Sequence, residues 1–321
     1  MNLPLVPPDT AWGVGLALVA MLIYGACMVM VSASDHGQKL GSGPGSMLAA
    51  LAGIPTGFVL AAWRGVNAAE VAWPSAEALG CFILAGIAST YLGRWLVFRS
   101  IELVGPSSAS GLQSTSPLIT AAFGWIFLNE AIGLWGMAGI ALGILGLLLM
   151  SIGLRPALPL HREPTRHIQS GVATFALLVG LGSASAYSAS HIFRAAAVRQ
   201  WNEPLLGAAI GALAGTLALA LGSHRRWRSY VAQVRSHPRA AQAYFAAGAL
   251  QLVAQALVIA SMRFIPASVA ALVSMCTPLA VMPLSFLLLR NRERLRPATA
   301  WGICITLVGI ALVVLFSASR S

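Results

Sequence analysis

The chain has 321 residues, of which 58% are hydrophobic and only 9% are charged, and its formal net charge is +11. Soluble domains carry about 25% charged residues, so this composition excludes a soluble globular protein and indicates a polytopic membrane protein. Most Lys and Arg residues lie in short loops between apolar runs, where membrane topology accounts for them, so nucleic acid is not an expected partner. Lipid cannot satisfy backbone polar groups, which predicts an all-α fold.

Ten apolar segments approach the roughly 20 residues that a helix needs to cross a bilayer. A hydrophilic break at residues 155–169 divides them into two groups of five. We therefore predict a first five-helix repeat over residues 1–154, a linker over 155–170 and a second five-helix repeat over 171–321. The ten predicted transmembrane helices are 12–34, 46–63, 79–101, 106–128, 131–153, 171–197, 204–222, 240–262, 266–289 and 297–317.

The two groups of five repeat one another. The stretch Pro106–Met150 has a second copy that begins at Pro266. Because five is odd, the two halves run through the membrane in opposite directions, which predicts an inverted repeat with a site near the midplane. The residues that align between the copies are Pro117 with Pro278, Glu130 with Glu293, Gly139 with Gly302 and Gly146 with Gly309.

The aligned prolines follow runs of small polar residues, of which Gln113 to Ser116 is the first. A proline frees a backbone carbonyl one turn earlier, and nearby hydroxyl groups can satisfy it. We predict that Pro117 and Pro278 kink their helices and act as hinges for alternating access, and a static kink is the alternative. Glu130 closes its hairpin, where a structural role near helix termini is expected.

The doubled order of these features resembles the drug/metabolite transporter superfamily, EamA type. That order is a Pro- and Ser-rich span, a proline, an apolar run, a glutamate and a Gly-rich span, and it occurs in both five-span halves. The resemblance covers nearly the whole chain and implies a carrier of small metabolites, amino acids or drugs. It also implies a central cavity lined mainly by spans one, three and four and by their counterparts six, eight and nine.

The loop charges predict the orientation in the membrane. Fourteen Lys and Arg residues lie in or beside the loops that follow spans one, three, five, seven and nine, and four lie on the other side. The positive-inside rule then places both termini outside the cytoplasm. Members of the family usually keep both termini in the cytoplasm, so this chain is expected to be inverted relative to them.

The deepest charge in the predicted spans is Arg94, and Tyr91 shares its helix face. A guanidinium binds carboxylate and phosphate groups through a planar bidentate fork, so we predict an anchor for such a substrate. Pairing with a backbone carbonyl is the alternative. The sixth span presents Tyr187, His191 and Arg194 on one face. For His191, proton coupling and a structural hydrogen bond both stay open, and Arg194 is near enough to the span end to snorkel.

The acidic side chains narrow the class of substrate. All nine fall in loops or at span ends, whereas an exporter of cationic drugs needs a carboxylate within the membrane. An anionic or zwitterionic substrate is therefore favoured. The sequence contains no pattern typical of a catalytic, cofactor or metal site. The predicted substrate-binding residues are Arg94, His191, Tyr91, Gln113, Tyr187, Arg194 and Gln255.

These patterns together predict a secondary transporter, not an enzyme, that moves a small anionic or zwitterionic metabolite by alternating access. Its expected partners are that small-molecule substrate and the lipid bilayer, and its expected location is the bacterial inner (plasma) membrane. One alternative is a flippase for lipid headgroups or lipid carriers, with arginines that bind phosphate. The other is a non-transporting membrane scaffold or sensor. The oligomeric state is left open.

Overall fold

The computed structural model is helical, with no strand among the residues that it describes. This agrees with the all-α prediction. One of the two predicted hinges, Pro278, lies outside the described residues. The described residues are 8–34, 40, 42–63, 73–97, 99–100, 112–113, 115–130, 133–153, 170–277, 279–281, 283–284 and 297–317.

Each of the ten predicted spans contains a helix, and among the described residues a 3₁₀ turn and a short α-helix lie between spans seven and eight. Five of the described helices are long and apolar enough to cross a membrane, which makes this a multi-pass membrane protein. The helices are α1 (Pro8–Ser34), α2 (Ser42–Trp63), α3 (Ala76–Gly86), α4 (Ser116–Leu128), α5 (Leu134–Gly153), α6 (Ser170–Gln200), α7 (Pro204–Gly222), α8 (Trp227–Ser236), α9 (Pro238–Ser261), α10 (Ala267–Met275) and α11 (Pro297–Ser317).

Eight of these helices form a closed ring by pairwise packing. Around the ring, α1 packs on α9, α9 on α2, α2 on α7, α7 on α3, α3 on α6, α6 on α4, α4 on α10, and α10 returns to α1. The helices α5 and α11 pack closely on each other and touch the ring mainly at α4 and α10. The ring surrounds the cavity that is described below.

Glycines make the contact between α3 and α7. A Cβ atom on Gly86 would overlap the carbonyl oxygen of Gly211, and one on Gly215 would lie 2.5 Å from the carbonyl oxygen of Gly86. Small residues at this spacing let helix backbones approach closely. Gly211 and Gly215 of the seventh span therefore serve packing within the bundle.

The third span changes its helical geometry at its centre. After α3 the chain continues as a π-helix over Ile87–Gly93 and returns to α-helix at residues 94–97. A π turn holds more residues than an α turn, so the side chains beyond it are rotated about the helix axis, and such stretches are frequent at functional sites. Within it, the Ser89 hydroxyl donates to the Ala85 carbonyl at 2.9 Å.

Both copies of the proline motif contain a tight turn. In the first copy the Thr115 N–H donates to the Leu112 carbonyl at 3.1 Å, just before α4 begins. In the second copy the Cys276 N–H donates to the Val273 carbonyl at 3.1 Å, where α10 ends. When the prolines of the two copies are aligned, the two turns fall at equivalent positions. The helix is thus interrupted beside Pro117, as a hinge requires, although movement there stays a prediction.

Candidate functional site

The ring of helices encloses a central cavity of about 260 Å³. A water molecule takes up about 30 Å³ in the liquid, so this volume of about 260 Å³ equals that of about nine waters. A solute of amino-acid size fits such a space. The polar residues that line it are Tyr24, Ser89, Thr90, Arg94, Tyr187, His191, Arg194, Thr216, Gln251, Gln255 and Ser274.

Five of the predicted site residues meet in this cavity although they come from three separate helices. The third span supplies Arg94, α6 supplies Tyr187, His191 and Arg194, and α9 supplies Gln255. The shared helix face that was predicted for the three α6 residues is the face that lines the cavity.

Arg94 lies at one end of the central cavity. Its Nη1 donates to the backbone carbonyl of Ser46, near the start of α2, at 3.1 Å. It forms no ion pair with a residue that the structure describes. A guanidinium carries five N–H donors, so this single bond to a neutral acceptor leaves Arg94 able to bind an anion.

Arg194 is buried in the cavity wall, with 7% of its surface exposed. Its Nη2 donates to the Ser89 hydroxyl at 2.9 Å, and that hydroxyl uses its own proton on the Ala85 carbonyl. Burying a charge is costly unless the charge is paired. Within the described part of the chain this guanidinium has a neutral partner, so its charge is not compensated there.

His191 is also buried, with 7% of its surface exposed, and its Nδ1 has no hydrogen-bond partner among the described residues. Buried polar atoms are nearly always hydrogen-bonded. The ring lines the cavity between Tyr187 and Arg194 on α6. His191 therefore borders the cavity with its ring, while its unpaired Nδ1 is itself buried.

Two predicted site residues lie elsewhere. The Gln113 Oε1 accepts a hydrogen bond of 2.7 Å from the Ser183 hydroxyl, and Gln113 does not line the central cavity. The turn at Thr115 separates Gln113 from α4. The Gln113 side chain links the proline motif to α6 through Ser183. Tyr91 lies within the π-helix and lines a different cavity, which Arg94 also lines.

The set of lining helices also differs from the one that the family resemblance implied. Residues of α2 and α7 line the central cavity, including Ala49, Gly53 and Ala212, whereas no described residue of α4 does so. The ring places α2 and α7 side by side between α9 and α3, and their small side chains leave room for the cavity. The sequence analysis also missed Ser89 and Thr216, whose only signal is a hydroxyl in an apolar span.

A second cavity of about 950 Å³ lies at the Arg94 end of the central one. Among the described residues, Arg94 is the one that lines both. The side chains around the second cavity are mainly basic and aromatic, and no described carboxylate is among them. We call this cavity the vestibule, and it is lined by Gly43, Pro44, Ser46, Tyr91, Arg94, Trp95, Arg99, Phe175, Leu219, Gly222, Ser223, His224, Arg225, Arg226, Tyr230 and Gln233.

The long helix α6 shows how the cavities are ordered along the molecule. Its residue Phe175 lines the vestibule, His191 and Arg194 line the central cavity, and Arg199 lies near its far end. At a rise of 1.5 Å per residue, the path from Phe175 to Arg199 is about 36 Å. The vestibule and Arg199 therefore lie at opposite ends of the bundle.

At the Arg199 end, Glu130 joins three elements. Its carboxylate pairs with the Arg199 guanidinium and accepts from the Ala267 N–H, at the start of α10, at 3.1 Å. The backbone at the end of α4 positions the Glu130 carboxylate. Asn129 adopts a left-handed conformation with φ 52°, and the Glu130 N–H donates to the Gly124 carbonyl at 3.0 Å. We call these side chains and the capped helix start the Glu130 cluster.

Electrostatics at the Glu130 cluster combine two opposing effects. Burial raises the pKa of the Glu130 carboxyl above its usual range, while Arg199 and the Ala267 amide act to lower it. Negative charge at a helix N-terminus is stabilised by the helix dipole, so the carboxylate is well placed over α10. Glu130 thus contacts the start of one helix and a side chain near the end of another, at helix termini where a structural role was expected for it.

Comparison with known proteins addresses both the fold and the family. No curated protein matches the chain. A solved structure titled "Crystal structure of protein" is similar with a TM-score of 0.69 and 15% sequence identity, over 95% of this chain and 97% of that one, which shows the fold alone. Residues 11–152 and again residues 174–315 match the EamA-like transporter family. The chain therefore belongs to the EamA-like transporter family, a family of membrane transporters.

Proposed function

We propose that this protein is a secondary transporter, and not an enzyme, that moves a small anionic or zwitterionic metabolite by alternating access. One observation carries the proposal. The central cavity holds two guanidinium groups, and their hydrogen-bond partners are neutral: the Ser46 carbonyl for Arg94 and the Ser89 hydroxyl for Arg194. A carboxylate or phosphate in the cavity supplies the charge that both groups lack.

The size and the remaining walls of the cavity refine the substrate. A volume of about 260 Å³ suits a solute of about ten non-hydrogen atoms. The amides of Gln251 and Gln255 line the cavity and offer neutral hydrogen-bonding groups. An anion, or a zwitterion whose ammonium group meets these neutral acceptors, fits this wall better than a cation does.

The order of the ring supports a ten-span inverted repeat. The sequence pairs α1 with α6, α2 with α7, α3 with α9 and α4 with α10. Exchanging each helix for its counterpart turns the ring order into the same order read backwards. A two-fold axis in the membrane plane has this effect, because it turns the ring over, and this is the symmetry of inverted repeats.

The two ends of the bundle support alternating access. The vestibule gives the central cavity a wide approach from one end, whereas the Glu130 cluster ties α4, α6 and α10 together at the other. We expect the opposite state to open at the cluster and to close at the vestibule. The loop charges favour a vestibule that faces the cytoplasm of a bacterial cell, with the protein in the inner membrane and both termini outside.

Thermal unfolding of the purified protein with added solutes tests the substrate class. The probes are succinate, glutamate, inorganic phosphate and, as a cation, tetraethylammonium. A ligand at 100 times its dissociation constant stabilises a protein by about 2.7 kcal/mol. We expect an anion or a zwitterion to stabilise the wild type and to lose this effect in Arg194→Gln. The control is Arg228→Gln, an exposed arginine on α8 outside both cavities.

Two results would contradict the proposal. Stabilisation by tetraethylammonium alone would reverse the predicted charge of the substrate. Equal stabilisation of the wild type and of Arg194→Gln by the anions would make Arg194 a structural residue.

A further inference from the structure

We infer that the vestibule is a second binding site, which takes the oxyanion group, phosphate or carboxylate, of a solute or of a lipid headgroup. The inference deepens the proposed function and rests on it. Its first support is size, because the volume of about 950 Å³ lies within the range of known ligand pockets. The vestibule therefore admits a solute before the solute reaches the smaller central cavity.

The charge of the vestibule walls selects anions. Arg94, Arg99, Arg225 and Arg226 line it together with His224, and no described carboxylate does. Within the described part of the chain, Arg225 and Arg226 form no hydrogen bond or ion pair through their side chains. Guanidinium groups bind carboxylate and phosphate in bidentate fashion, so two adjacent arginines on a short 3₁₀ turn are suited to an oxyanion.

Close packing shapes the walls, so the vestibule is more than an exposed basic surface. A Cβ atom on Gly43 would lie 2.6 Å from the Tyr230 hydroxyl oxygen. One on Gly222 would lie 2.6 Å from Cε2 of Tyr91. Glycine at both positions lets an aromatic ring lie directly on the neighbouring backbone. These contacts fix α8 against α2, and α7 against the π-helix.

Arg94 connects the vestibule with the central cavity. It lines both, and Ser46, whose carbonyl accepts its Nη1, also lines the vestibule. Among the described residues, the acceptor with which an anion in the vestibule competes for Arg94 is this neutral carbonyl. The anion can therefore move from Arg225 and Arg226 to Arg94, and from there towards Arg194, with a cation beside it at each stage.

The test uses the full-length protein in nanodiscs of neutral phosphatidylcholine at low ionic strength. Inorganic pyrophosphate is titrated into the wild type, into Arg225→Gln/Arg226→Gln and into Arg228→Gln/Arg235→Gln, with binding measured by calorimetry. The last pair is the matched control, because it removes the same charge from exposed positions of α8 that do not line the vestibule. We expect affinity to fall at least about tenfold in the vestibule variant, as for lost charge-assisted hydrogen bonds.

Two further measurements distinguish a lipid headgroup from a free solute as the ligand, and distinguish a failure of this inference from a failure of the proposed function. If phosphatidylglycerol in the nanodiscs weakens pyrophosphate binding to the wild type, the vestibule binds lipid headgroups. If phosphatidylglycerol does not compete with pyrophosphate, the vestibule binds solutes. Arg194→Gln should still bind pyrophosphate in the vestibule, even if the central cavity proves not to bind an anionic substrate. Equal affinity in the vestibule variant and its control, or no binding to the wild type, would overturn the inference.

Discussion

The two ends of the helix bundle use arginine in opposite ways. At the vestibule end, Arg94 donates to the backbone carbonyl of Ser46, and further basic side chains lie around it. At the far end, Arg199 pairs with Glu130, whose carboxylate also accepts from the first amide of α10. The first end carries positive charge without a described carboxylate, and the second pairs its charges internally.

This difference shows that the partner of an arginine, and not its depth in the membrane, indicates its role. A guanidinium with a neutral partner still attracts an anion. A guanidinium beside a buried carboxylate is already neutralised, so that it can hold helices together but has little to offer a ligand. Three predictions test this comparison.

The largest effect is expected at the Glu130 cluster. Glu130→Ala removes the group that caps α10 and leaves a gap above Gly124. Loss of a helix cap costs up to about 2 kcal/mol. The ion pair adds little, because the Arg199 side chain is 41% exposed and water can solvate it. We expect the free energy of unfolding to fall by about 2 kcal/mol, measured by thermal unfolding in detergent.

The control for this variant is Glu77→Ala. Glu77 lies in the first turn of α3, is exposed, and forms no ion pair with a described residue. Its loss should cost no more than about 0.5 kcal/mol. Equal unfolding temperatures for the two variants would show that the Glu130 cluster does not hold the far end together.

An effect of similar size is expected from the wall formed by the third span. The third span carries Arg94 at one end and Ser89, which holds Arg194, further along. A methyl group on Gly86 would push this span away from α7, and such overpacking costs about 1–3 kcal/mol. Gly86→Ala should therefore lower the unfolding temperature and weaken the stabilisation by an anionic ligand.

Gly80→Ala is the matched control in the same helix. A Cβ atom there meets no other atom within 4 Å, so the substitution should be neutral or stabilising, because alanine is the better helix former. If both alanine variants behaved alike, the close contact between α3 and α7 would be irrelevant to stability.

The smallest effect is a pH dependence. Burial raises the pKa of the Glu130 carboxyl in the folded protein above that in the unfolded chain. The resulting stability is fully present below the unfolded pKa and is lost as the pH rises through the folded pKa. As the pH rises above about 4, the wild type should lose stability relative to Glu130→Gln, which cannot titrate. A gain by the wild type over this range would mean that Arg199 outweighs burial.

The sequence was sufficient to predict that each of the ten apolar runs contains a helix, because lipid requires helices, but it did not predict the interruptions within the third, fourth and ninth runs. It also identified Arg94, His191 and Arg194, since charged or titratable groups are rare within spans. The structure brings these three to one cavity. Their role in binding a substrate stays a prediction.

Tertiary contacts explain what the sequence could not predict. Gln113 was placed in the cavity because it precedes Pro117, but its amide oxygen accepts a hydrogen bond from Ser183 of α6. Ser89 looked like one of many small polar residues, and only the packing of α6 on α3 makes it the partner of Arg194. Neither contact has a local signal, since the partners are 70 and 105 residues apart in the chain.

The π-helix at Ile87–Gly93 has a consequence for how this site can arise and be redesigned. Removing one residue from this stretch would restore an α-helix and would turn everything beyond it by about 100°. Arg94 would then leave the cavity although its sequence neighbours were unchanged. The counterpart span in the second half, α9, has no such stretch. A difference in local helical geometry, and not only a difference in residue type, thus separates the two copies, and insertions or deletions here are a route to new specificity.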